Sequence, residues 1–444
     1  MPAMDNTYRT HYTNQIESGL LGQRATIAGW IEDLRDIGKV VFLTVRDVRG
    51  VAQAVVSGQS IEIIRDKQRQ SAVIISGLVQ DSKSKDFSLE IKADRVIILN
   101  DATHPLPIDP TGRVESALDK RIDSRALDLR SPKTASIFLL RSVLLENIRT
   151  TLRSNGFIEV NTPKIIGSAS EGGANLFEFE YFKKPAYLAQ SPQVYKEQLI
   201  LALDRVFEIA SYYRAEKSHT ARHLSEFLSV DIEAAFTSMD EIINIAEQVL
   251  MNILSLNLST SEGDMNGSKP LASLISLISK TLLIPKPRFP LKRLSYQQCV
   301  EDLKKQGENI EIGDDLSDAS LRVLGEIHKG FFFIVDWPTK LKPFYIREKE
   351  NDPRFSYSFD LQYGHLELIS GGQRQHDPNR LKERLIEQNL NPDNFKHHLR
   401  VFSWGMPPHS GWGLGFDRLI MALTNLDNIR EAVLYPRDVD RLTP

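Results

Sequence analysis

The sequence predicts an α+β protein in which a small β-barrel precedes a large domain of mixed helices and strands. Three observations lead there. Five short runs rich in β-branched residues crowd into residues 24–99, a proline-rich break follows at 103–112, and beyond Ser136 helical periodicity alternates with further β-rich runs. At 444 residues the chain has room for two or three domains of ~150 residues each and for a sizeable core.

The barrel elements come first. Runs 25–31, 40–45, 51–56, 72–79 and 89–99 alternate with turn residues at Gly38, 47–50 and 81–86. So many strands in so short a stretch suit a closed barrel. The OB-fold, which binds single-stranded nucleic acid, is the common five-stranded example, and a plain barrel fits the same spacing. Pro105, Pro107, Pro110 and Gly112 remove donors and periodicity and read as a linker, while the charged stretch 120–130 reads as a solvated hinge that could also touch a polyanion. The expected bounds are 1–104 for the barrel, 105–135 for the hinge and 136–444 for the α+β domain. Within the last, Ile137, Leu140, Leu144, Ile148 and Leu152 recur at helical spacing until Asn155-Gly156 supplies a left-handed stop, and a strand begins at Phe157. Runs 205–209, 228–236, 330–335 and 358–368 read as β, and 256–269 as an exposed loop.

Composition narrows the function classes. With 41% hydrophobic and 25% charged residues, fibrous and disordered chains are excluded and a soluble globular protein is expected. Lys and Arg number 55 against 58 acidic residues, so a nucleic-acid partner needs a local basic patch. The single cysteine, Cys299, rules out an internal disulfide and a Cys-rich zinc site; it fits a reducing cytosol and leaves oxygen ligands for any metal. No run of ~18 apolar residues is present, and the start Met1-Pro2-Ala3-Met4-Asp5 lacks a cationic apolar leader, so a cytoplasmic protein away from membranes is expected.

The common nucleotide signatures, G-x-x-x-x-G-K-[ST] and G-x-G-x-x-G after a strand, are missing. Three clusters nevertheless hold residue types that phosphate chemistry requires. In 207–227, two strands joined by a loop would put Arg214 and Arg222 on one surface with Phe227 as a flat face, able to clamp phosphates and stack a base; a hairpin with surface ion pairs and a core phenylalanine fits equally. In 358–374, Asp360 and Glu367 on neighbouring strands can hold hydrated Mg²⁺ against phosphate oxygens, or simply face water. In 405–419, alternating glycines allow close approach of a ligand and Arg418 opens a helix, although tight packing also calls for glycine.

Together these clusters resemble the class II aminoacyl-tRNA synthetases. Phe157-Ile158-Glu159-Val160-Asn161-Thr162-Pro163-Lys164 is similar to motif 1, Tyr213-Arg214-Ala215-Glu216 onward to Phe227 to motif 2, and Gly413-Leu414-Gly415-Phe416-Asp417-Arg418 to motif 3. Within the class the likeness is to the aspartyl branch of archaeal and eukaryotic type, and it runs from Tyr8-Arg9-Thr10-His11-Tyr12 to Arg441-Leu442-Thr443-Pro444.

The resemblance implies an OB-fold anticodon-binding barrel and a class II catalytic domain, an antiparallel sheet flanked by helices. It implies a two-step reaction in which an amino-acid carboxylate attacks the α-phosphorus of ATP and a terminal ribose hydroxyl of tRNA then takes the acyl group. Neither step demands a strong protein base, so catalysis rests on positioning and charge neutralisation. By resemblance, Arg214 holds the α-phosphate, Arg222 and Arg418 the β/γ end, Phe227 the adenine and Glu216 its edge, with His223 and Gly415 lining the same site; Arg214 and Arg418 are the catalytic pair, and Asp360 and Glu367 hold Mg²⁺.

For L-aspartate, Gln193 and Lys196 match the aspartyl pattern, and Arg374 matches the arginine that reads the side-chain carboxylate. Two cations converging on one group favour a carboxylate over an amide, unless Lys196 merely snorkels from a helix. Asp231 matches the ammonium ligand, Glu171 a closing loop with Gly172 and Gly173, and Ser370 the pocket wall; Glu233 fits a structural role as well as a catalytic one.

In the barrel, Phe42 and Gln53 match the pair that reads the central anticodon uridine, Glu90 a neighbouring base, and Arg24, Arg35 and Lys39 phosphates; without the resemblance Phe42 would read as core. Glu32 stands where stricter archaeal relatives carry tryptophan, which admits tRNA(Asn) beside tRNA(Asp). Motif 1 implies a homodimer. The alternatives are an asparaginyl enzyme, a catalytically silent tRNA-binding paralogue and a free asparagine synthetase, the last having no need of the barrel.

Overall fold

The computed structural model describes residues 8–167, 176–217, 220–256 and 287–444. Its described residues form two compact units, one reaching Leu139 and the other running from Leu140 to Pro444. Among them no helix is long and apolar enough to cross a membrane.

In the first unit, β1 (Arg24–Asp36), β2 (Val40–Asp47), β3 (Gly50–Ser57), β4 (Ala72–Asp81) and β5 (Leu89–Asn100) close into a barrel in the order β1-β2-β3-β5-β4. Period-2 alternation sorts each strand: Val41, Leu43 and Val45 of β2 enter the core with Ile27, Ile31, Ala54, Val56, Ile75 and Ile91, and the residues between them face outward. The stretch expected to be a solvated hinge is different. It contains helices Leu118–Asp123 and Arg125–Asp128, and Arg125 and Asp128 are buried with their charges 2.8 Å apart. Opposite charges one helical turn apart neutralise each other, so both can turn inward.

The second unit is built on an eight-stranded sheet. In chain order its strands are β6 (Ile158–Glu159), β10 (Arg205–Tyr213), β11 (Glu226–Ala235), β12 (Lys292–Ser295), β13 (Phe331–Val335), β14 (Ser358–Tyr363), β15 (Leu366–Gln373) and β16 (His409–Gly415). They lie in the order β12-β13-β14-β15-β16-β11-β10-β6, antiparallel apart from β6/β10 and β12/β13. The β run 358–368 is a hairpin, turning at Gly364 with φ +56°, which puts Asp360 and Glu367 on neighbouring strands. A small sheet, β7 (Ile165–Ile166), β8 (Glu178–Tyr181) and β9 (Lys184–Leu188), sits in the order β7-β9-β8.

One face of the large sheet is apolar. Val230, Ile232, Trp412, Leu414 and Ile369 are buried there, against helices that include Met239–Ser255, opened by a Ser238/Glu241 capping box, and Phe416–Thr424. The helix expected from Ser136 spans Pro132–Ser154, buries Leu140, Leu144, Ile148 and Leu152, and ends at Gly156 with φ +81°. The opposite face of the sheet carries the charges.

Candidate functional site

Alternation on β11 sends Phe227, Ser229, Asp231 and Glu233 to the charged face, opposite Gly411, Gly413 and Gly415 of β16 in the register Glu233↔Gly411, Asp231↔Gly413 and Ser229↔Gly415. The missing side chains are space for carboxylates. A Cβ at Gly411 would lie 2.3 Å from a Glu233 oxygen, and one at Gly413 would lie 3.0 Å from Asp231. Beyond β16, β15 contributes Ser370, and Arg374 follows directly after its last residue. The β14/β15 ladder slips by one residue, since Leu361 opposes Ile369 whereas Gln362 opposes Glu367, which leaves Leu368 as an extra residue. That bulge turns Glu367 to the same face as Asp360 and Ser370; a flush ladder would point it away.

The resulting cavity, about 320 Å³, is lined by Gln193, Lys196, Arg214, Glu216, Arg222, His223, Phe227, Asp231, Glu367, Ser370, Arg374, Gly415 and Arg418, all singled out in the sequence. Glu171 lies outside the described residues. Asp360 does not line the cavity: it is 2% exposed behind Glu367, and both its oxygens accept from Lys342 Nζ, at 2.7 and 2.9 Å.

At the deep end the charges are paired and buried. Helix Gln193–Leu203 carries Gln193 and Lys196 one turn apart, both facing the cavity. Lys196 Nζ is 3.3 Å from Asp231 and 3.4 Å from Glu233, and Arg374 donates two hydrogen bonds to Glu233, at 2.9 and 3.2 Å. Glu233 is fully buried. Ser229 Oγ donates to Asp231 at 2.6 Å. Lys196 therefore does not snorkel to solvent. Behind Gln193, Glu197 accepts from its amide and stands 3.1 Å from His398. Burial alone would raise the Glu197 carboxyl, but His398, His409 and Arg374 hold it down at about 2.

At the outer end the cations are less enclosed. Arg214 lies over the Phe227 ring, 5.2 Å from its centroid, and 4.0 Å from Glu216. Arg222 is paired with Asp318, and Arg418 donates to the Glu367 carbonyl at 3.2 Å. Burial and then Arg418 push His223 below its ordinary value, so it is uncharged at neutral pH. Burial and then Asp360 raise the Glu367 carboxyl, against the pull of Arg418, Lys342 and Arg214. Two carboxylates crowding one another in this way form a place that gains from a hard cation. No group of three or more metal-ligating His, Cys, Asp or Glu exists among the described residues, so such a cation would complete its shell with water and phosphate oxygens.

Sequence reasoning missed Lys342, Glu197 and His398. A lysine among the apolar residues of 339–345 carries no signal until the fold places it on Asp360.

On the barrel, Phe42, Arg35, Gln53 and Glu90 share the outer face. Arg35 pairs with Phe42 across β1/β2, and Gln53 with Glu90 across β3/β5. Phe42 is half-buried and outside the core. Gln53 donates to Glu90 at 2.6 Å and Gln80 to the other Glu90 oxygen at 2.8 Å, which leaves the Gln53 carbonyl as the end not used by that carboxylate. Glu32, the bulged residue of β1, is bound by Arg46 through two contacts.

Residues 117–439 match the family described as tRNA synthetases class II (D, K and N), and 25–99 match the OB-fold nucleic acid binding domain. An "Aspartate--tRNA(Asp/Asn) ligase" of Methanothermobacter thermautotrophicus is 41% identical over 442 residues, 98% of each chain. An asparaginyl-tRNA synthetase of Pyrococcus horikoshii, solved with asparaginyl-adenylate, aligns at TM-score 0.88 and 31% identity over 98% of this chain and 99% of that one. An aspartyl tRNA synthetase of Entamoeba histolytica aligns at TM-score 0.85 and 28% identity over 100% and 96%.

Proposed function

The chain belongs to the tRNA synthetases class II (D, K and N), and on that premise we propose that it is an ATP-dependent aspartate–tRNA ligase acting on tRNA(Asp) and tRNA(Asn). One observation carries the amino-acid choice. Lys196 stands between Asp231, at 3.3 Å, and Glu233, at 3.4 Å, and Arg374 is held by Glu233; once Asp231 is drawn to the substrate ammonium, Lys196 and Arg374 are left with Glu233 alone. The trio Lys196, Arg374 and Glu233 thus has one uncompensated positive charge, which a side-chain carboxylate cancels and an amide leaves buried. That mismatch costs an asparagine several kcal/mol, of order 10²-fold or more in discrimination.

In the first step the aspartate α-carboxylate attacks the α-phosphorus of ATP, and pyrophosphate leaves with the bonding pair. Arg214 would neutralise charge on the α-phosphate, Arg222 and Arg418 the leaving end, and Phe227 would stack the adenine beside Glu216. Neutral His223 and Gly415 complete the wall. Mg²⁺, held by Glu367 with Asp360 behind it, would screen the phosphates. In the second step the terminal ribose hydroxyl of tRNA attacks the mixed-anhydride carbonyl and AMP leaves. Residues 1–104 would bind the anticodon through Phe42, Gln53, Glu90 and Arg35. The two-tRNA range is supported by the name of the archaeal relative and by Glu32, whose carboxylate Arg46 occupies. A homodimer through the motif 1 segment around Pro163 and a cytoplasmic location complete the proposal.

ATP–pyrophosphate exchange tests the reading: exchange with aspartate and not with asparagine is expected, and exchange with asparagine alone would overturn it. Charging of purified tRNA(Asp) and tRNA(Asn) tests the range; aspartylation confined to tRNA(Asp) would reduce it to one tRNA.

A further inference from the structure

Behind the cavity lies a carboxylate–imidazole pair that neither chemical step touches. Glu197, one helical turn beyond Gln193, has no exposed surface, and His398 on helix Lys396–Phe402 is 4% exposed with its Nε2 3.1 Å from the Glu197 carboxylate. The imidazole is fixed from two further sides, edge-on to Phe402 with ring centroids 4.8 Å apart and with Nδ1 3.5 Å from the Gln198 amide nitrogen. Replacing a buried pair of this kind by apolar groups of similar volume is often neutral for stability, so the carboxylate calls for another reason.

The reason lies in what a carboxylate cannot do. A glutamine amide has two ends of nearly equal shape, one donating and one accepting, and an ionised carboxylate only accepts. Glu197 therefore draws the NH₂ end of Gln193 onto itself, as the hydrogen bond between them records. The carbonyl end is left for the cavity, whose deep wall also holds Asp231. Turned the other way, Gln193 would aim a donor at an incoming ammonium.

We propose that Glu197, held by His398, is a positioning residue that locks the Gln193 amide with its oxygen toward the cavity, making Gln193 a second acceptor for the substrate α-ammonium beside Asp231. This rests on the amino-acid pocket assigned above. His409 and Arg374 are the other charged or titratable groups that bear on Glu197, and both favour its ionised form.

Glu197→Gln preserves volume and gives position 197 a donor as well as an acceptor, so the Gln193 amide is released to turn. In ATP–pyrophosphate exchange the KM for the amino acid should rise about tenfold while kcat and the KM for ATP stay within about twofold. In a Gln193→Ala background the same substitution should add less than about twofold, because its effect passes through Gln193. His398→Gln, which keeps the carboxylate and removes its holder, should move the same KM in the same direction. An unchanged amino-acid KM in Glu197→Gln, an effect that adds in full to that of Gln193→Ala, or an equal rise in the KM for ATP would each overturn the proposal. Aspartate and asparagine both carry the α-ammonium, so the cycle can be run with whichever one the wild type activates. A failure of the aspartate reading therefore stays distinct from a failure of the lock.

Discussion

At the deep end of the cavity Lys196 and Arg374 share the fully buried carboxylate of Glu233, whereas at the outer end Arg222 meets Asp318, whose side chain is 63% exposed, and Arg418 donates to a backbone carbonyl. On the proposed reading both ends would bind anions by charge, yet they are built to opposite rules. Cations fixed by a buried partner cannot relax around the wrong ligand, so an uncharged side chain leaves a real deficit there. Cations held by solvent-exposed or backbone partners are cheap to redirect and suit a polyphosphate that must arrive, be gripped and leave. The proposal thus puts selectivity where the counter-charges are permanent, and turnover where they are not.

The sharpest way to break this contrast is Lys196→Leu. Removing one partner of a buried pair should cost kcat/KM for aspartate ~10²–10³-fold and leave the KM for ATP within about threefold; equal losses in both would show that the deep end does not select. Next in size is Gly411→Ala, whose new methyl would overlap the Glu233 carboxylate and the Ile232 carbonyl. It should lower stability by ~3 kcal/mol, seen as an earlier thermal transition, and weaken aspartate more than ATP.

At the other end, Arg222→Ala should raise the KM for ATP about tenfold with little change for aspartate, and Asp318→Asn should change it by no more than about twofold. A larger loss in Asp318→Asn would mean that Arg222 depends on its partner as Arg374 does. The smallest expected effect is one of acidity. The Glu197 carboxyl sits at about 2 in the fold against 4.5 ordinarily. A lowered carboxylate contributes stability that is complete above the unfolded value and is lost as pH falls through the folded one. The thermal advantage of wild type over Glu197→Gln should therefore hold from pH 7 to about 4.5 and shrink toward about 2; an advantage that grows on acidification would contradict the pairing with His398.

Much of this architecture was legible in the chain. The barrel strands and the long helix follow from alternation and from Ile137, Leu140, Leu144, Ile148 and Leu152, because burial leaves a periodic trace. Arg214, Arg222, Phe227, Glu367 and Arg418 were legible as well, since arginines next to glycines and aromatics are unusual companions, whereas Gln193, Lys196, Asp231, Ser370 and Arg374 entered through the resemblance to the class II synthetases. Relations between distant elements were not. Asp360 and Glu367 read as two equal carboxylates, and nothing near them in sequence announces that Lys342 satisfies one and not the other. Lys120 to Arg130 looks water-facing in any composition window, and only pairing permits Arg125 to be buried. His398 lies 201 positions beyond Glu197, and their meeting depends on how a late helix packs against an early one.

The slip of one residue at Leu368 has a practical corollary. Glu367 opposes Gln362, on the side of Asp360, and that pairing, not the identity of the bulged residue, decides which side of the sheet it presents. Leu368 itself is buried, so exchanging it for a polar side chain would cost packing while leaving that register in place. Deleting it would close the ladder with Glu367 still opposite Gln362 on the cavity side, so the strand could lose a whole amino acid there and keep that carboxylate in place.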